Sequence, residues 1–401
     1  MSGPLTGYRI IDLSSMISGP LATMILGDQG ADVIKVEKPA GGDYVRKGTN
    51  RRGDFGAAFL NNNRNKRSIV LNLKHVRGVE VLMKLVTGAD VFIQNFRPGV
   101  AARMGLGEDV IRSVKPDVVY VSIAGFGFEG PYAERPVYDP LIQSLSGLAS
   151  VQAGSDNARP RLVRTILPDK VTAVMASQAI TAALLARERT GQGQHVRLSM
   201  LDAVVSFLWH SDMGAQTFVG GELPQQDAAS FIDLIYETAD GHISVAVMQD
   251  REWQALTRAL ERPEWLDDPR FKTPALRERN INDRLAMMQE ALLERPASEW
   301  LARLEAEGVP CSPVLTRNDM IRHPQIEANA IVEIYEHPQA GTLRQARPAA
   351  RFEGTPSTAR RGAPGLGQHT EEILGEIGVS SEEIAELFNA GVIGADGTRP
   401  N

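Results

Sequence analysis

The 401-residue sequence has a single cysteine, Cys311, no long apolar run and no excess of positive charge. One cysteine excludes an internal disulfide framework and fits a reducing compartment. The longest weakly polar run, residues 171–186, falls short of the roughly 20 residues that span a bilayer, so it favours a buried helix. A net charge of −6 argues against a nucleic-acid-binding protein.

Several catalytic and targeting signatures are also missing. The seven histidines lie far apart, without H-x-x-H or H-E-x-x-H spacing, so the sequence predicts no zinc site. It contains neither the G-x-S-x-G motif of hydrolases nor a Walker A motif. The start "MSGPLTGYRIIDLSS" lacks the basic flank and apolar core of a signal peptide. We therefore expect a cytoplasmic enzyme.

The first 200 residues alternate between strand and helix patterns. A strand over residues 8–14, a short helix within 19–31 and a strand over 32–39 form a βαβ unit. The alternation continues with a strand at 67–73, a helix at 78–89 and strands at 90–96 and 117–126. This order predicts an α/β fold with a doubly wound parallel sheet.

The pattern changes near residue 220. Residues 219–230 are typical of a linker, and residues 231–247 predict a β-hairpin that turns at Asp240 and Gly241. Helical patterns rich in Arg and Glu continue to about residue 307. Residues 346–369 are rich in Pro and Arg, which favours an extended segment that covers the surface. A capped helix over 380–391 follows.

The motif "GFGFEG" at residues 125–130 matches the dinucleotide fingerprint by its letters only. That fingerprint requires a helix to open directly behind the glycines. Here Pro131 and Pro136 follow, and the preceding strand is a late one. We therefore do not expect a nicotinamide site at this position.

Cationic residues cluster around the predicted strand ends. They have two interpretations: a solvated basic rim, or a site for a phosphate-bearing ligand, because open α/β sheets bind ligands at strand ends. The sequence alone leaves both open. The residues are Lys38, Arg64, Lys66, Arg67, Lys74, Arg97 and Arg103.

Asp169 follows Pro168 at the start of a helix that runs to about Thr190 and stops at Gly191. It could be a helix N-cap, which is typically worth about 1 kcal/mol. The same position also favours an ionised carboxylate, which can attack an activated acyl group. Its position in the sequence does not choose between the two roles.

A resemblance to a known family favours the second role. In their order and spacing, segments along nearly the whole chain resemble class III CoA-transferases (the CaiB/BaiF family, with formyl-CoA:oxalate and carnitine CoA-transferases). The segments include "RIIDLSSMISGPLATMILGDQGADVIKVEKP", "NNNRNKRSIVLNLK", "ADVFIQNFRPGVAARMGL", "SIAGFGFEGPYAERPVYDPLIQSLSGL", "LPDKVTAVMASQAITAALLARERTGQGQHVRLSMLDA" and "PGLGQHTEEILGEIG".

The resemblance implies an architecture. It predicts a large Rossmann-like α/β domain over residues 1–200, completed by the C-terminal tail 335–401. A linker at 201–224 would lead to a smaller α+β domain at 225–334. Two chains would thread through each other as an interlocked homodimer.

The resemblance also implies a mechanism in which Asp169 becomes acylated and then carries CoA as a thioester. The substrates would be an acyl-CoA and a free carboxylic acid, with no permanently bound cofactor and no metal. Residues 125–131 would form an active-site turn. The CoA-binding residues would be Ile17, Ser18, Lys38, Asn72, Leu73, Lys74, His75, Asn95, Phe96, Arg97, Arg103 and Tyr138.

Two departures bear on the substrate. Formyl-CoA transferases carry Gln where this chain has Ile17, and a run of glycines where it has residues 248–251. We therefore expect an acid larger or less polar than oxalate or formate.

An α-methylacyl-CoA racemase is the nearest alternative, but its "GHDINY" motif corresponds here to "PVYDPL", which has no histidine. A non-catalytic acyl-CoA-binding protein is a more distant one.

Overall fold

A computed structural model describes residues 3–221 and 234–394. The chain divides into two compact units. The first consists of the described parts of residues 1–149, 162–214 and 330–401, and the second of 150–161 and 215–329. Residues 1–2, 222–233 and 395–401 lie outside the described residues. They include most of the linker pattern at 219–230, the first residues of the expected small domain and of the hairpin, and the end of the tail.

Regular elements up to residue 214 alternate as expected. The strands are β1 (Arg9–Asp12), β2 (Asp32–Glu37), β3 (Arg51–Arg52), β4 (Phe55–Gly56), β5 (Lys66–Leu71), β6 (Val91–Gln94), β7 (Val119–Ala124) and β8 (His195–Ser199). The helices are α1 (Ser18–Asp28), α2 (Ala57–Asn63), α3 (Val76–Thr87), α4 (Val100–Arg103), α5 (Glu108–Val114), α6 (Asp139–Leu145), α7 (Leu148–Ala153), α8 (Leu167–Thr190) and α9 (Met200–Trp209). Helix α9 lies within the span expected to be linker.

The second unit is mostly helical around a small sheet. Its elements are β9 (Ile235–Glu237), β10 (His242–Val245), α10 (Asp250–Ala259), α11 (Pro274–Arg279), α12 (Ile281–Leu292), α13 (Ala297–Ala306), β11 (Cys311–Pro313), α14 (Arg317–Met320) and α15 (Pro324–Ala328). Strands β9 and β10 pair antiparallel, so the predicted hairpin is confirmed over the described residues. Trp253, Trp265 and Trp300 pack in the buried core of the second unit.

The last part of the chain returns to the first unit. It contains β12 (Val332–His337), β13 (Gly341–Ala346), α16 (Thr370–Glu376), α17 (Ser381–Asn389) and β14 (Ile393–Gly394). Residues 347–369 have no helix or strand. They lie along the first unit, where the backbone N–H groups of Arg360 and Arg361 donate to Oδ1 of Asn65. The expected extended covering segment is therefore confirmed.

The main sheet has the strand order β14-β5-β2-β1-β6-β7-β8. All neighbouring strands are parallel except β14, which pairs antiparallel with β5. The six parallel strands run outward from β1 in both directions, as in a doubly wound sheet. Successive strands are therefore added on one side of β1 up to β5 and on its other side from β6 onward. Such a switch point between β1 and β6 opens a crevice at the carboxyl ends of the strands.

Helices cover both faces of this sheet. Because successive strand residues point to opposite sides, neighbouring residues of one strand are buried against different helices. Ile10 packs with residues of α1 and α8, whereas Ile11 packs with residues of α3, α5, α16 and α17. Small residues such as Ala173 and Ala176 are buried on α8 and let it pack closely against α1. The starts of α1 and α8 are thereby brought together. Among the described residues, no helix is both long and apolar enough to cross a membrane.

Candidate active site

A cavity of about 520 Å³ lies at the carboxyl ends of β1, β2, β5 and β6, next to the switch point. Strands β1, β2 and β5 contribute residues at and directly after their ends, and Phe96 lies two residues after the end of β6. The lining residues are Leu13, Ser14, Ser15, Lys35, Val36, Glu37, Lys38, Pro39, Ala40, Gly42, Asp43, Tyr44, Leu71, Asn72, Leu73, Lys74, Phe96 and Met104. The volume and location are typical of a cofactor or substrate site in an open α/β sheet.

Five of the expected CoA-binding residues line this cavity: Lys38, Asn72, Leu73, Lys74 and Phe96. Lys38 and Lys74 are exposed, while Leu73 and Phe96 are half-buried and pack against the core. The cavity therefore combines apolar walls with cations at its rim. Such a lining suits a ligand that has both an apolar part and phosphates.

Other expected residues have structural roles beside the cavity. His75 is the N-cap of α3, where its Nδ1 accepts the backbone N–H of Arg77. The side-chain amide of Asn95 accepts from the backbone N–H of Ser15 and donates to its carbonyl, at 2.9 and 2.8 Å. Asn95 thereby joins the loop after β6 to the loop after β1.

Arg97 and Arg103 are exposed and flank the cavity-lining Phe96 and Met104 along the chain. Over residues 3–221 and 234–394, none of Lys38, Lys74, Arg97 and Arg103 forms an ion pair. Cations left without an internal carboxylate are available to a phosphate-bearing ligand.

The remaining three cations of the sequence cluster are not ligand residues. Arg64 is buried and pairs with Asp28 at 2.7 Å. Lys66 is fully buried; its ammonium lies 3.0 Å from Asp12, and burial lowers its pKa to about 8. Neither open interpretation of the cluster, a solvated rim or a ligand site, therefore holds for these two residues, because buried carboxylates already satisfy both charges.

Arg67 is likewise buried and used internally. Its guanidinium donates to Asp32 and, on α16, to Glu372 and Glu376. The side chain thus ties the start of the sheet to the C-terminal tail, and it offers no free donor to a ligand.

A buried ion pair forms the floor of the cavity. Lys35 and Asp43 lie 3.0 Å apart, each with 1% of its side chain exposed. The other carboxylate oxygen of Asp43 accepts the backbone N–H of Met16 at 3.1 Å. Met16 has φ = 69°, a conformation that non-glycine residues seldom adopt. The ion pair therefore fixes the loop between β1 and α1.

That loop leads from the cavity to Asp169. Ser15 lines the cavity, and Ser18 begins α1, with Ile17 half-buried at its N-cap position. Three residues of chain span at most about 11 Å. Ser18 lies close enough to Asp169 for its hydroxyl and backbone N–H to lower the pKa of that carboxyl group. The nucleophile candidate therefore lies within a short distance of the cavity.

Asp169 is not the N-cap of its helix. Helix α8 begins at Leu167 with Ile166 at the N-cap position, and no side chain caps it. Asp169 is the third residue of the first turn and is half-buried. Its carboxylate faces Ser18 and makes no capping contact, so the N-cap alternative is wrong.

Burial and the neighbouring Asp139 raise the pKa of Asp169 to about 6, although the hydrogen bonds from Ser18 oppose this shift. A buried carboxyl group beside a like charge favours its neutral form. Near pH 7 the side chain is mostly ionised. It is also more basic than an ordinary aspartate, which suits a nucleophile.

The loop after β7 has no helix behind its glycines, as expected. After Ala124 the chain runs through turns until α6 begins at Asp139. A Cβ on Gly125 would lie 2.2 Å from Val137, so this position requires glycine. Tyr138 precedes α6, with 69% of its surface exposed, and it does not line the cavity.

Sequence reasoning missed Asp139 and Gln143. Asp139 stands before Pro140 at the start of a helix, and that signal resembles the one that singled out Asp169. Gln143 lies one turn later, so its side chain is on the same face as Asp139. It also missed Lys35 and Asp43, although a lysine inside a strand buried on both faces indicates a hidden partner.

The sheet order and the cavity at its switch point define an open α/β protein with a ligand-sized site at its strand ends. Comparison with known proteins identifies its family: residues 5–370 match the model of CoA-transferase family III. The chain therefore belongs to CoA-transferase family III, whose members use CoA thioesters as substrates.

Relatives match along nearly their whole lengths. Human succinyl-CoA:glutarate CoA-transferase is 34% identical over 396 residues, covering 97% of this chain and 90% of the relative. Formyl-CoA:oxalate CoA-transferase from Streptomyces coelicolor is 32% identical over 409 residues, covering 97% and 99%. The structure of a CAIB/BAIF family protein from Brucella suis has a TM-score of 0.82 and 30% identity, covering 94% and 100% of the two chains.

Proposed function

We propose that this CoA-transferase moves CoA from an acyl-CoA donor to a free carboxylic acid through covalent intermediates on Asp169. The observation that carries the proposal is the state of that side chain. It is half-buried at the start of α8, makes no capping contact, and has a raised pKa that burial and Asp139 increase and Ser18 opposes. Asp169 is not among the residues that line the cavity, but Ser18 beside it follows the cavity-lining Ser15 by three residues. We therefore place the reacting thioester between this cavity and Asp169.

In the first half of the reaction, a carboxylate oxygen of Asp169 attacks the thioester carbonyl carbon. A C–O bond forms and the C–S bond breaks, so the electron pair leaves as CoA thiolate. The thiolate then attacks the side-chain carbonyl of the resulting anhydride. The donor acid leaves as a carboxylate, and Asp169 now carries CoA as a thioester.

The second half reverses these steps with the acceptor. The acceptor carboxylate attacks the aspartyl thioester and releases CoA thiolate, which forms a second anhydride. The thiolate then attacks the acceptor carbonyl, yielding the new acyl-CoA and free Asp169. An amide side chain could not form either anhydride, so an acid is required at this position.

CoA would occupy the cavity at the strand ends. We propose that Lys38, Lys74, Arg97 and Arg103 hold its phosphates; their exposure and lack of ion pairs within the described ranges support this role. The apolar walls would receive the rest of the cofactor. A cytoplasmic location fits the free thiol of Cys311.

We propose an acid larger or less polar than oxalate as the substrate. Ile17, next to Ser18, packs with apolar residues and offers no side-chain hydrogen bond to a small dicarboxylate. Residues 248–251 lead into α10, where the Glu252 carboxylate accepts from the N–H groups of Met248 and Gln249. The human relative, whose name includes the larger acids succinate and glutarate, supports this choice.

Trapping tests the mechanism. The protein is incubated with acyl-CoA, treated with hydroxylamine or borohydride, and digested for mass spectrometry. We expect modification at Asp169, and we expect Asp169→Ala to abolish transfer while retaining CoA binding. A matched control is Asp54→Ala, which alters an exposed aspartate outside the cavity lining.

The other outcomes separate the alternatives. Exchange of the α-proton with solvent deuterium, without an adduct, would support a racemase. CoA binding with neither reaction would support a binding protein. A panel of acyl-CoA donors against free acids, analysed by mass spectrometry, then identifies the pair that reacts fastest.

We also propose the interlocked homodimer that the family resemblance implies. Exposed apolar side chains on the first unit support it, because a monomer would leave them in water. They include Leu141, Leu145, Val174, Leu185, Phe207 and Trp209. Light scattering should give twice the mass of one chain at micromolar concentration, and a monomeric mass would contradict the proposal.

A further inference from the structure

Asp139 lies against Asp169, and the mechanism above does not use it. It is 4% exposed and begins α6. Its Oδ2 accepts the backbone N–H of Asp169 at 3.2 Å, and its Oδ1 accepts from Nε2 of Gln143 at 2.6 Å. Both oxygens therefore accept hydrogen bonds from N–H donors, the arrangement that suits an ionised carboxylate.

Gln143 holds Asp139 in place. It is 1% exposed, and its Oε1 accepts the backbone N–H of Val163 at 2.8 Å. Its Nε2 also lies 3.3 Å from the carbonyl of Thr165. The amide thus joins α6 to the segment that leads into α8, so Asp139 cannot rotate away from Asp169 without breaking these bonds.

Within the part of the chain that the structure describes, neither carboxylate has a cationic partner. The groups that act on Asp169 are Asp139 from α6 and Ser18 from α1. Lys170, the nearest cation along α8, donates instead to Oγ1 of Thr165 at 2.7 Å. Within the described ranges, Asp139 forms no ion pair. Two acidic side chains therefore face each other with a neutral hydroxyl beside them.

We propose that Asp139 is a positioning residue that orients Asp169 through its backbone N–H and whose negative charge favours acylation of that side chain. The inference rests on the proposed function. Free Asp169 is an anion and is repelled by Asp139. When its oxygen bonds the acyl carbon and the C–S bond breaks, the charge leaves with the thiolate sulfur.

The repulsion thus acts on the free carboxylate and disappears in the anhydride and the thioester. An interaction that raises the energy of the reactant more than that of the intermediate speeds the attack. The raised pKa of Asp169, due first to burial and then to Asp139, agrees with this arrangement. A more basic carboxylate is also a better nucleophile.

The test compares pH profiles of kcat/KM for the full-length protein and three variants. Asp139→Asn removes the charge, Asp139→Glu keeps it, and Gln143→Met removes the holding amide but not the charge. We expect Asp139→Asn to move the acid limb from near pH 6 to lower pH by about 0.5–1 unit. Its plateau rate should fall roughly tenfold.

Asp139→Glu should lose rate but keep the acid limb of the wild type. Gln143→Met, which frees Asp139 to turn away from Asp169, should lose rate and move the limb part of the way to lower pH. A purely structural role of Asp139 predicts slower turnover in all three with an unmoved limb, and that result overturns the inference. Should Asp139→Asn fail to fold by circular dichroism, Gln143→Met decides, because an acid limb that stays at the wild-type pH in that variant overturns the inference.

Trapping separates this inference from the mechanism on which it rests. The wild type and Asp139→Asn are both treated with acyl-CoA and hydroxylamine, and modification at Asp169 is measured over time. If the wild type gives no adduct, the proposed function fails. If it gives one and Asp139→Asn acylates at an equal rate with an unmoved acid limb, only the inference fails.

Discussion

At the scale of single residues, charge placement separates the cations that hold the fold from those that face a ligand. Lys66 and Arg64 are buried against Asp12 and Asp28, where a lost partner would leave an unpaired charge in the interior. Lys38 and Lys74 lie at the cavity rim and are exposed. The four side chains look alike in the sequence, yet only the last two are available to an anion.

The rim lysines should contribute to CoA affinity. We expect Lys38→Glu or Lys74→Glu to raise KM for acyl-CoA roughly tenfold, because a charge-assisted bond to phosphate is lost. The value of kcat should change little, since phosphate contacts are remote from the reacting carbonyl. Lys272→Glu, an exposed lysine outside the cavity lining, serves as the control. Steady-state kinetics that show an unchanged KM in both rim variants would mean that neither lysine contributes to CoA binding.

The ionised side chain of Asp169 should lower the free energy of unfolding at neutral pH. Its folded-state pKa of about 6 lies above the ordinary value of 3.8, so the fold favours the protonated form. The resulting stability is fully present below pH 4 and is lost as the pH rises through 6. Asp169→Asn should therefore match the wild type at pH 4 and exceed it by about 1–3 kcal/mol above pH 7.

Urea denaturation of both proteins at several pH values measures this difference. A free energy of unfolding that differs by the same amount at pH 4 and pH 8 would show that Asp169 has an ordinary pKa. In that case a raised basicity of Asp169 would not contribute to its reactivity as a nucleophile.

At the scale of elements, the site depends on where two helices begin. Helices α1 and α8 pack against each other on one face of the sheet, which places Ser18 beside Asp169. The close approach of α1 to the loop after β1 requires Gly19, where a Cβ would lie 2.2 Å from Cβ of the buried Ser14. The glycine therefore sets the position of the Ser18 donor.

Gly19→Ala should move the start of α1 and weaken catalysis. The added methyl group meets Ser14, whose hydroxyl is held by Asp12 at 2.5 Å, so the helix rather than the serine must shift. We expect a loss of about 1–3 kcal/mol in unfolding free energy and at least a tenfold drop in kcat.

Gly27→Ala is the matched control on the same helix. Its Cβ would lie 3.4 Å from Asn65, an ordinary contact, so stability and kcat should stay near those of the wild type. Equal effects of the two substitutions on kcat would mean that the start of α1 does not position the site.

At the scale of the whole molecule, the chain completes its first unit with its last residues. Strand β14 adds to the edge of the main sheet beside β5, and α16 and α17 cover one face. Leu374 and Leu387 are buried in the same cluster as Ile11 and Phe92. Residues as distant in the sequence as Ile11 and Leu387 therefore share one core, so this unit cannot be complete before the tail is in place.

Leu387→Ala should destabilise the first unit by about 2–4 kcal/mol, because it removes a fully buried side chain and leaves a cavity. The neighbouring Phe388 is 39% exposed, and Phe388→Ala should cost much less. Thermal or urea unfolding of both variants measures the difference. Equal losses would indicate that α17 is not part of the folding core.

Local pattern was sufficient to predict the strands and long helices, because alternation and helical spacing are properties of neighbouring residues. The helix predicted to begin at Asp169 begins two residues earlier, at Leu167. The covering segment and the hairpin lie where they were expected. The sequence left open whether Arg64, Lys66 and Arg67 face solvent or a ligand. It could not show that they are buried in ion pairs, because their partners Asp28, Asp12 and Asp32 lie between 35 and 54 residues away.

The sequence by itself determined the family, the α/β fold and Asp169 as the reactive candidate, because these depend on ordered motifs and local periodicity. Only the tertiary structure decided which charges are free, since salt bridges join distant strands. It alone brought Ser18 and Asp139 to the carboxylate, because the packing of α1, α6 and α8 sets that proximity. The basicity of Asp169 is thus a product of folding, as burial and a neighbouring charge exist only in the folded chain.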